Sequence, residues 1–193
     1  MAGLLAALTL AGCAMPGEVP TAASSAAATV TQQQRGPFLV LAGPKRRHAE
    51  PFVGVPSTNY YLLRSFIDTR TGAVAHQLYL QDSYLGAERV WNAARLATGQ
   101  TLRFMPISKS EVLCEKDCSF AEEFAAALPE PLLRANPQGL AVVFTARAGN
   151  EKTIAVPGDL VAKQLAAVAA ARANRATAAA AASPPAPAVA PPR

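Results

Sequence analysis

From Asn59 onward, apolar and polar residues alternate in short runs that end at glycine or proline, the two-residue period of β-strands. NYYLLRSFID (59–68) and AVAHQLYLQ (73–81) flank the turn DTRTG (68–72), which is a hairpin signature. In the second run Val74, His76, Leu78 and Leu80 share one face, because successive side chains point to opposite sides of a strand. ERVWNAARL (88–96) and TLRFMPI (101–107) read as two further strands reversing near Gly99. GLAVVFTARAG (139–149) and EKTIAVP (151–157) form another hairpin around Gly149-Asn150. In GLAVVFTARAG, Leu140, Val142 and Phe144 alternate with Ala141, Val143 and Thr145, so both faces are apolar and the strand is central or covered.

SFAEEFAAAL (119–128) carries two signals. Ser119 and Glu122 make a helix capping box, and the Ala/Glu content favours helix. Phe120, Phe124, Ala126 and Leu128 instead fit a strand, with Glu122 as the exception; the hairpin context and Pro129 tip the reading to strand. EPLLRANPQG (130–139) is a helical turn. PGDLVAKQLAAVAAARANRA opens with good first-turn residues and places Leu160, Gln164, Leu165 and Val168 on a narrow stripe, which predicts a C-terminal helix. The expected fold is mainly β (α+β), an antiparallel sheet or sandwich of about six or seven strands with one C-terminal helix, spanning 58–172.

The flanks are different. Between Ala14 and Ser57 no period is sustained, and PGEVPTAASSAAATVTQQQRG is too small and polar to build a core, so 13–57 reads as a flexible linker. Within it PFLVLAG (37–43) reads as a short strand. Residues 173–193 end in AAAAASPPAPAVAPPR, an Ala/Pro-rich tail with no packing signal.

Charge narrows the partners. The chain has 18 Lys and Arg against 13 Asp and Glu, a net +5, yet residues 58–156 balance at ten basic and ten acidic side chains. Without a basic face on the folded part, nucleic-acid binding is excluded as a reading. The one basic cluster, Lys45-Arg46-Arg47-His48, fits anionic lipid headgroups near a membrane. A solvated loop is the simpler account.

Residues 2–11 are apolar apart from Thr9, a stretch too short to span a bilayer but suited to an export signal. It closes on Leu10-Ala11-Gly12-Cys13, which resembles the lipobox of bacterial lipoproteins. That resemblance implies a signal peptide over 1–12, a mature chain starting at an acylated Cys13, and a lipid anchor on the membrane. Ala14 and Met15 follow the cysteine with no aspartate, which implies an outer-membrane address facing the periplasm. The family's basic segment ahead of the apolar core is missing, since no Lys or Arg precedes Arg35; the start would then lie upstream, or the signal is defective. The LRSFID–HQLYL hairpin and the CEKDCSF turn also resemble small bacterial envelope proteins, a likeness that implies no activity.

Candidate chemistry is sparse. Cys114 and Cys118, in CEKDC, would meet an oxidising compartment after export, and a disulfide closing that small loop is the simplest outcome. Free thiols, a redox pair and a metal site are the alternatives. Redox catalysis favours C-x-x-C, and zinc needs two more ligands than the cysteines supply, with His48 and His76 the only histidines. His76 with Asp82 and Ser83 is the one set resembling a hydrolase, but no G-x-S-x-G elbow is present and a hydrogen-bonded core histidine is the simpler reading. Glu122 and Glu123 adjoin, so on a strand they face apart. Trp91 with Tyr60, Tyr61, Tyr79 and Tyr84 could line a recognition surface or fill the core. No phosphate-binding or dinucleotide fingerprint occurs, and no cofactor is implied. The expected function is a non-catalytic binding or scaffolding domain with an envelope protein as partner; an envelope hydrolase using His76 and a small-ligand carrier are the alternatives.

Overall fold

The structure is a computed structural model and describes residues 29–114 and 118–182. Among the described residues, eleven strands form two antiparallel sheets. The larger contains β1 (Thr31–Arg35), β2 (Phe38–Ala42), β4 (Tyr60–Asp68), β5 (Val74–Leu85), β9 (Cys118–Ala127) and β8 (Phe104–Cys114) in the order β1-β2-β4-β5-β9-β8. The short β3 (Arg46–Arg47) pairs with the start of β4. The smaller sheet has the order β11-β10-β6-β7, from β6 (Trp91–Leu96), β7 (Thr101–Leu102), β10 (Gly139–Ala146) and β11 (Glu151–Pro157). Two helices complete the fold, α1 (Glu130–Ala135) and α2 (Gly158–Ala182). A mainly β architecture with one long C-terminal helix is therefore what the alternation predicts.

Three boundaries differ from the sequence reading. Residues 31–47 are not linker: β1, β2 and β3 extend the larger sheet, and the basic cluster is built into it. Arg46 pairs with Asp159 at 3.6 Å, and the Lys45 ammonium lies 4.0 Å from the Tyr60 ring centre. The helix runs to Ala182, ten residues into the expected tail, because its alanine-rich sequence keeps high helix propensity after the packed stripe ends. TLRFMPI is not one strand. The chain pairs with β6 at Thr101–Leu102, turns at Arg103, and joins β9 in the other sheet from Phe104, the sheet-switching corner of a sandwich. Pro106 is tolerated because β8 is an edge strand with an irregular register beside it.

The sheets enclose one core. Phe124 and Phe104 from the larger sheet meet Trp91 and Phe144 from the smaller, with Phe124 5.4 Å from Trp91 and 5.0 Å from Phe144. Phe124 and Phe144 are essentially unexposed, and burying each stabilises the fold by roughly 1.5–3 kcal/mol. At the other end α2 takes the place of the second sheet. Its Val168 and Ala171 close over Leu41 and Ile67, and its Leu160 and Val161 join the main core. Gly139 makes the close approach of β10 to the end of β11, where α2 begins, possible: at φ +104°, a Cβ there would lie 2.3 Å from the Val156 carbonyl oxygen.

Candidate functional site

Polar side chains gather at three places, and strand register explains each. The first is a buried network joining the two sheets. Asp82 and Glu122 stand directly opposite one another on β5 and β9, both facing inward, and are 1 % and 5 % exposed. Asp82 accepts from Trp91 Nε1 at 3.0 Å and Arg89 Nη1 at 3.1 Å through Oδ2, and from Lys152 Nζ through Oδ1. Glu122 accepts from the Tyr84 hydroxyl and from the backbone N–H groups of Val90 and Trp91, both at 3.2 Å. Lys152 also reaches His48 Nδ1 at 3.3 Å, so His48 carries its proton on Nε2 and donates it to the Gln81 carbonyl at 2.8 Å. Burial, with a smaller push from Lys152, holds His48 below its ordinary value.

This network fixes local backbone as well. Val90 sits at φ +57°, an uncommon conformation for a β-branched residue that costs about 1–3 kcal/mol. It is held there by Glu122 on its N–H and by Arg147 N donating to its carbonyl at 2.9 Å. Every carboxylate oxygen of Asp82 and Glu122 thus has a protein donor. The arrangement bolts β6 and β11 to the larger sheet, and neither acid is left free to move a proton.

The second place is His76. Its ring is 1 % exposed and accepts at Nδ1 from Ser65 Oγ, 2.8 Å away. Gln164 Nε2 donates to the same Oγ at 2.7 Å and to the Leu41 carbonyl at 3.1 Å. The chain of donors places the histidine proton on Nε2, which faces Glu130 Oε2 at 3.5 Å. Glu130 is clasped by Arg172 and Arg134, which hold its carboxyl at about 2. Burial keeps His76 below its ordinary value and neutral. Serine, histidine and glutamate in a line invite comparison with a hydrolytic triad, but the order around the ring is reversed. There the serine bonds Nε2 and the acid bonds Nδ1. Ser65 is also fully buried and capped by Gln164. The set locks α2 and α1 to the sheet.

Asp82 and Ser83, the other sequence candidates, do not approach this histidine. Asp82 belongs to the first network, six residues along β5, and Ser83 faces the opposite side, where its Oγ accepts from Gln81 at 2.6 Å. Glu122 and Glu123 do face apart, as strand alternation requires. The pair that sequence spacing missed is Asp82 with Glu122, brought together by a register between strands 40 residues apart.

The third place is the outer face of the larger sheet. Tyr60, Leu62, Arg64 and Phe66 alternate onto it from β4, while Tyr61, Leu63, Ser65 and Ile67 point inward. Among the described residues no helix or second sheet packs against that outer face, since α2 and the smaller sheet both close on the inner one. Aromatic and cationic groups stack along it. Tyr60 and Tyr79 rings lie 5.9 Å apart, and the Arg64 guanidinium sits 4.1 Å from Tyr79 and 5.7 Å from Phe66. Tyr61, Tyr84 and Trp91 turned inward instead, and Tyr79, although on the outer side, is only 5 % exposed, so of the five candidate recognition aromatics Tyr60 alone stays partly exposed.

Cys114 and Cys118 stand opposite one another in the β8–β9 register. Cys13, the signal peptide and the end of the tail lie outside the described residues. No helix among the described residues is long and apolar enough to cross a membrane, and no group of three or more metal-ligating side chains occurs among them. Neither a protein-family model, a curated protein nor a solved structure matches the chain.

Proposed function

We propose that the chain is a membrane-anchored envelope lipoprotein whose β-sandwich is a non-catalytic binding or scaffolding domain. The lipobox-like Leu10-Ala11-Gly12-Cys13 supports the anchor, with Cys13 acylated and the protein held at the outer membrane facing the periplasm. Two fatty chains or more are needed for stable anchoring, at about 0.8 kcal/mol per buried CH₂. Between the anchor and β1 lie residues 14–30, enough to hold the domain off the leaflet. Cys114 and Cys118 are disulfide-bonded in that compartment.

The observation that carries the binding reading is the division of labour between the two faces of the larger sheet. Its inner face consumes the histidine, the serine and both buried acids in bonds that hold the sandwich together. Its outer face leaves Tyr60, Arg64 and Phe66 partly exposed, with no helix or second sheet over them among the described residues. Residues that could do chemistry are interior, and the residues positioned to touch something are aromatic and cationic.

Two measurements test this. Metabolic labelling with an alkyne fatty acid in the native host should mark the wild type and not Cys13→Ala. Photo-crosslinkers placed at Gln77 on the outer face and at exposed Leu85 beyond it should give a discrete adduct from the first position alone. Labelling that survives Cys13→Ala removes the anchor, and equal or absent adducts remove the binding face.

A further inference from the structure

The outer face contains a partly buried cation that has no ion-pair partner among the described residues. Arg64 is half-buried on β4, flanked by Tyr79 and Phe66. Its Nη2 donates to Gln77 Oε1 at 3.0 Å, and its buried Nε has no hydrogen-bond partner. Among the described residues no carboxylate lies within ion-pair distance of it. Of the acids on that face, Glu123 is two strands over and four residues along, opposite the Gln81–Tyr60 row rather than the Gln77–Arg64 row, and Asp68, at the end of β4 in the Arg35–Phe38 row, is paired with Arg70 at 3.3 Å. Desolvation depresses the Arg64 pKa, and Tyr79 and Glu123 offset it only in part. Buried cations are ordinarily paired, so an unpaired one needs an explanation.

Register supplies it. Thr31, Ala42 and Arg64 form one cross-strand row, and Gln33, Val40 and Phe66 form the next. Small Ala42 and Val40 leave a hollow of about 210 Å³ between the larger side chains, and Arg35 lines its rim. Arg35 is likewise unpaired with any described carboxylate, and its Nε donates to Gln33 Oε1 at 3.0 Å, which leaves the Gln33 amide N–H₂ as a donor. Two guanidinium groups therefore share one pocket and repel each other, and no acidic residue lines it.

We propose that this hollow is an oxyanion-binding site, in which Arg64 and Arg35 hold a carboxylate or phosphate group whose carrier lies against Val40 and Phe66. A planar guanidinium presents paired donors at the spacing of carboxylate and phosphate oxygens. The aromatic flanks keep the Arg64 plane fixed, so little freedom is lost when the anion binds. The bound charge cancels the repulsion between the two arginines. This site rests on the binding-domain reading and names the ligand chemistry for it.

The test is titration of the full chain with inorganic phosphate and, separately, with glucuronate at constant ionic strength. Binding is read by calorimetry and by the Arg Nε–H resonances in ¹H–¹⁵N spectra. One anion should saturate at millimolar concentration and shift the Arg64 and Arg35 signals, and Arg64→Gln and Arg35→Gln should each weaken it about tenfold or more. Phosphate alone saturating identifies a phosphate group, and glucuronate alone identifies a carboxylate on a sugar-like carrier. Arg64→Lys keeps the charge and the fold but loses the paired donors, so it too should bind weakly. Neither anion saturating, or binding unchanged in both Gln variants, overturns the site. If the Gln77 crosslink survives Arg64→Gln while neither anion binds, the anion site fails and the binding face stands.

Discussion

Replacing Lys152 by methionine removes one of the two cations on Asp82 while keeping most of the aliphatic stem. The Asp82 side chain is 1 % exposed, and its partners Lys152 and Arg89 are 19 % and 27 % exposed. Water cannot reach the carboxylate to replace the lost ammonium. Breaking a buried pair by deleting one partner costs about 3–5 kcal/mol, and Arg89 and Trp91 Nε1 still hold Oδ2, so the lower end applies. A loss of about 3 kcal/mol with a urea slope of about 2 kcal/mol/M moves the unfolding midpoint down by about 1.5 M. The assay is equilibrium urea unfolding of the wild type, K152M, D82N and the double variant. Because the two residues touch, the double variant should lose about 1–3 kcal/mol less than the sum of the singles. His48 gives an independent readout: without Lys152 beside Nδ1, its pKa should rise in an NMR titration. A midpoint shift under about 0.3 M, or strict additivity, refutes the inter-sheet clamp.

Stability should fall as pH drops below the ordinary histidine value. Burial lowers His76 and His48 in the folded state, so the unfolded chain binds protons first; His76→Gln should flatten part of that slope in urea titrations at several pH values. A second loss belongs to Glu130, whose contribution is complete above the normal carboxylate value and disappears as pH falls toward about 2; Arg172→Gln should shift that acid limb upward in circular dichroism melts. Reducing the Cys114–Cys118 pair should cost at most about 2 kcal/mol by the chain-entropy estimate for so short a loop, and intact mass before and after reduction checks whether the bridge is there. Gly139→Ala should destabilise by more than about 2 kcal/mol, since the methyl has only backbone to meet and φ is positive; a variant melting with the wild type contradicts the close approach of β10 to the β11–α2 junction.

Legibility in the sequence followed how locally each signal was written. His76 shares its face with Leu78 and Leu80, and that alternation alone placed it in the core. Its partners Ser65 and Glu130 come from β4 and α1, 11 and 54 residues away, with Gln164 of α2 behind Ser65, and no spacing rule connects them. Glu122 broke the apolar pattern of 119–128 and was read as an exception to a strand. In the fold it is the reason β6 docks where it does, because its two oxygens collect the Val90 and Trp91 N–H groups. A buried acid inside a strand was the one local clue to that network.

Chain pattern by itself determined the antiparallel strands, most of the hairpins and the C-terminal helix, because each bears an apolar face of its own with a turn residue at its end. Tertiary structure alone decided that TQQQR is a strand. It has no apolar face, and only pairing with β2 satisfies its backbone. Tertiary structure likewise decided which aromatics meet the outside, since the sheet has two faces and a sequence period of two assigns residues to a side without saying which side is covered. That is why Arg64, one of ten basic residues in a neutral stretch, became distinctive only when its row across β1, β2 and β4 was known.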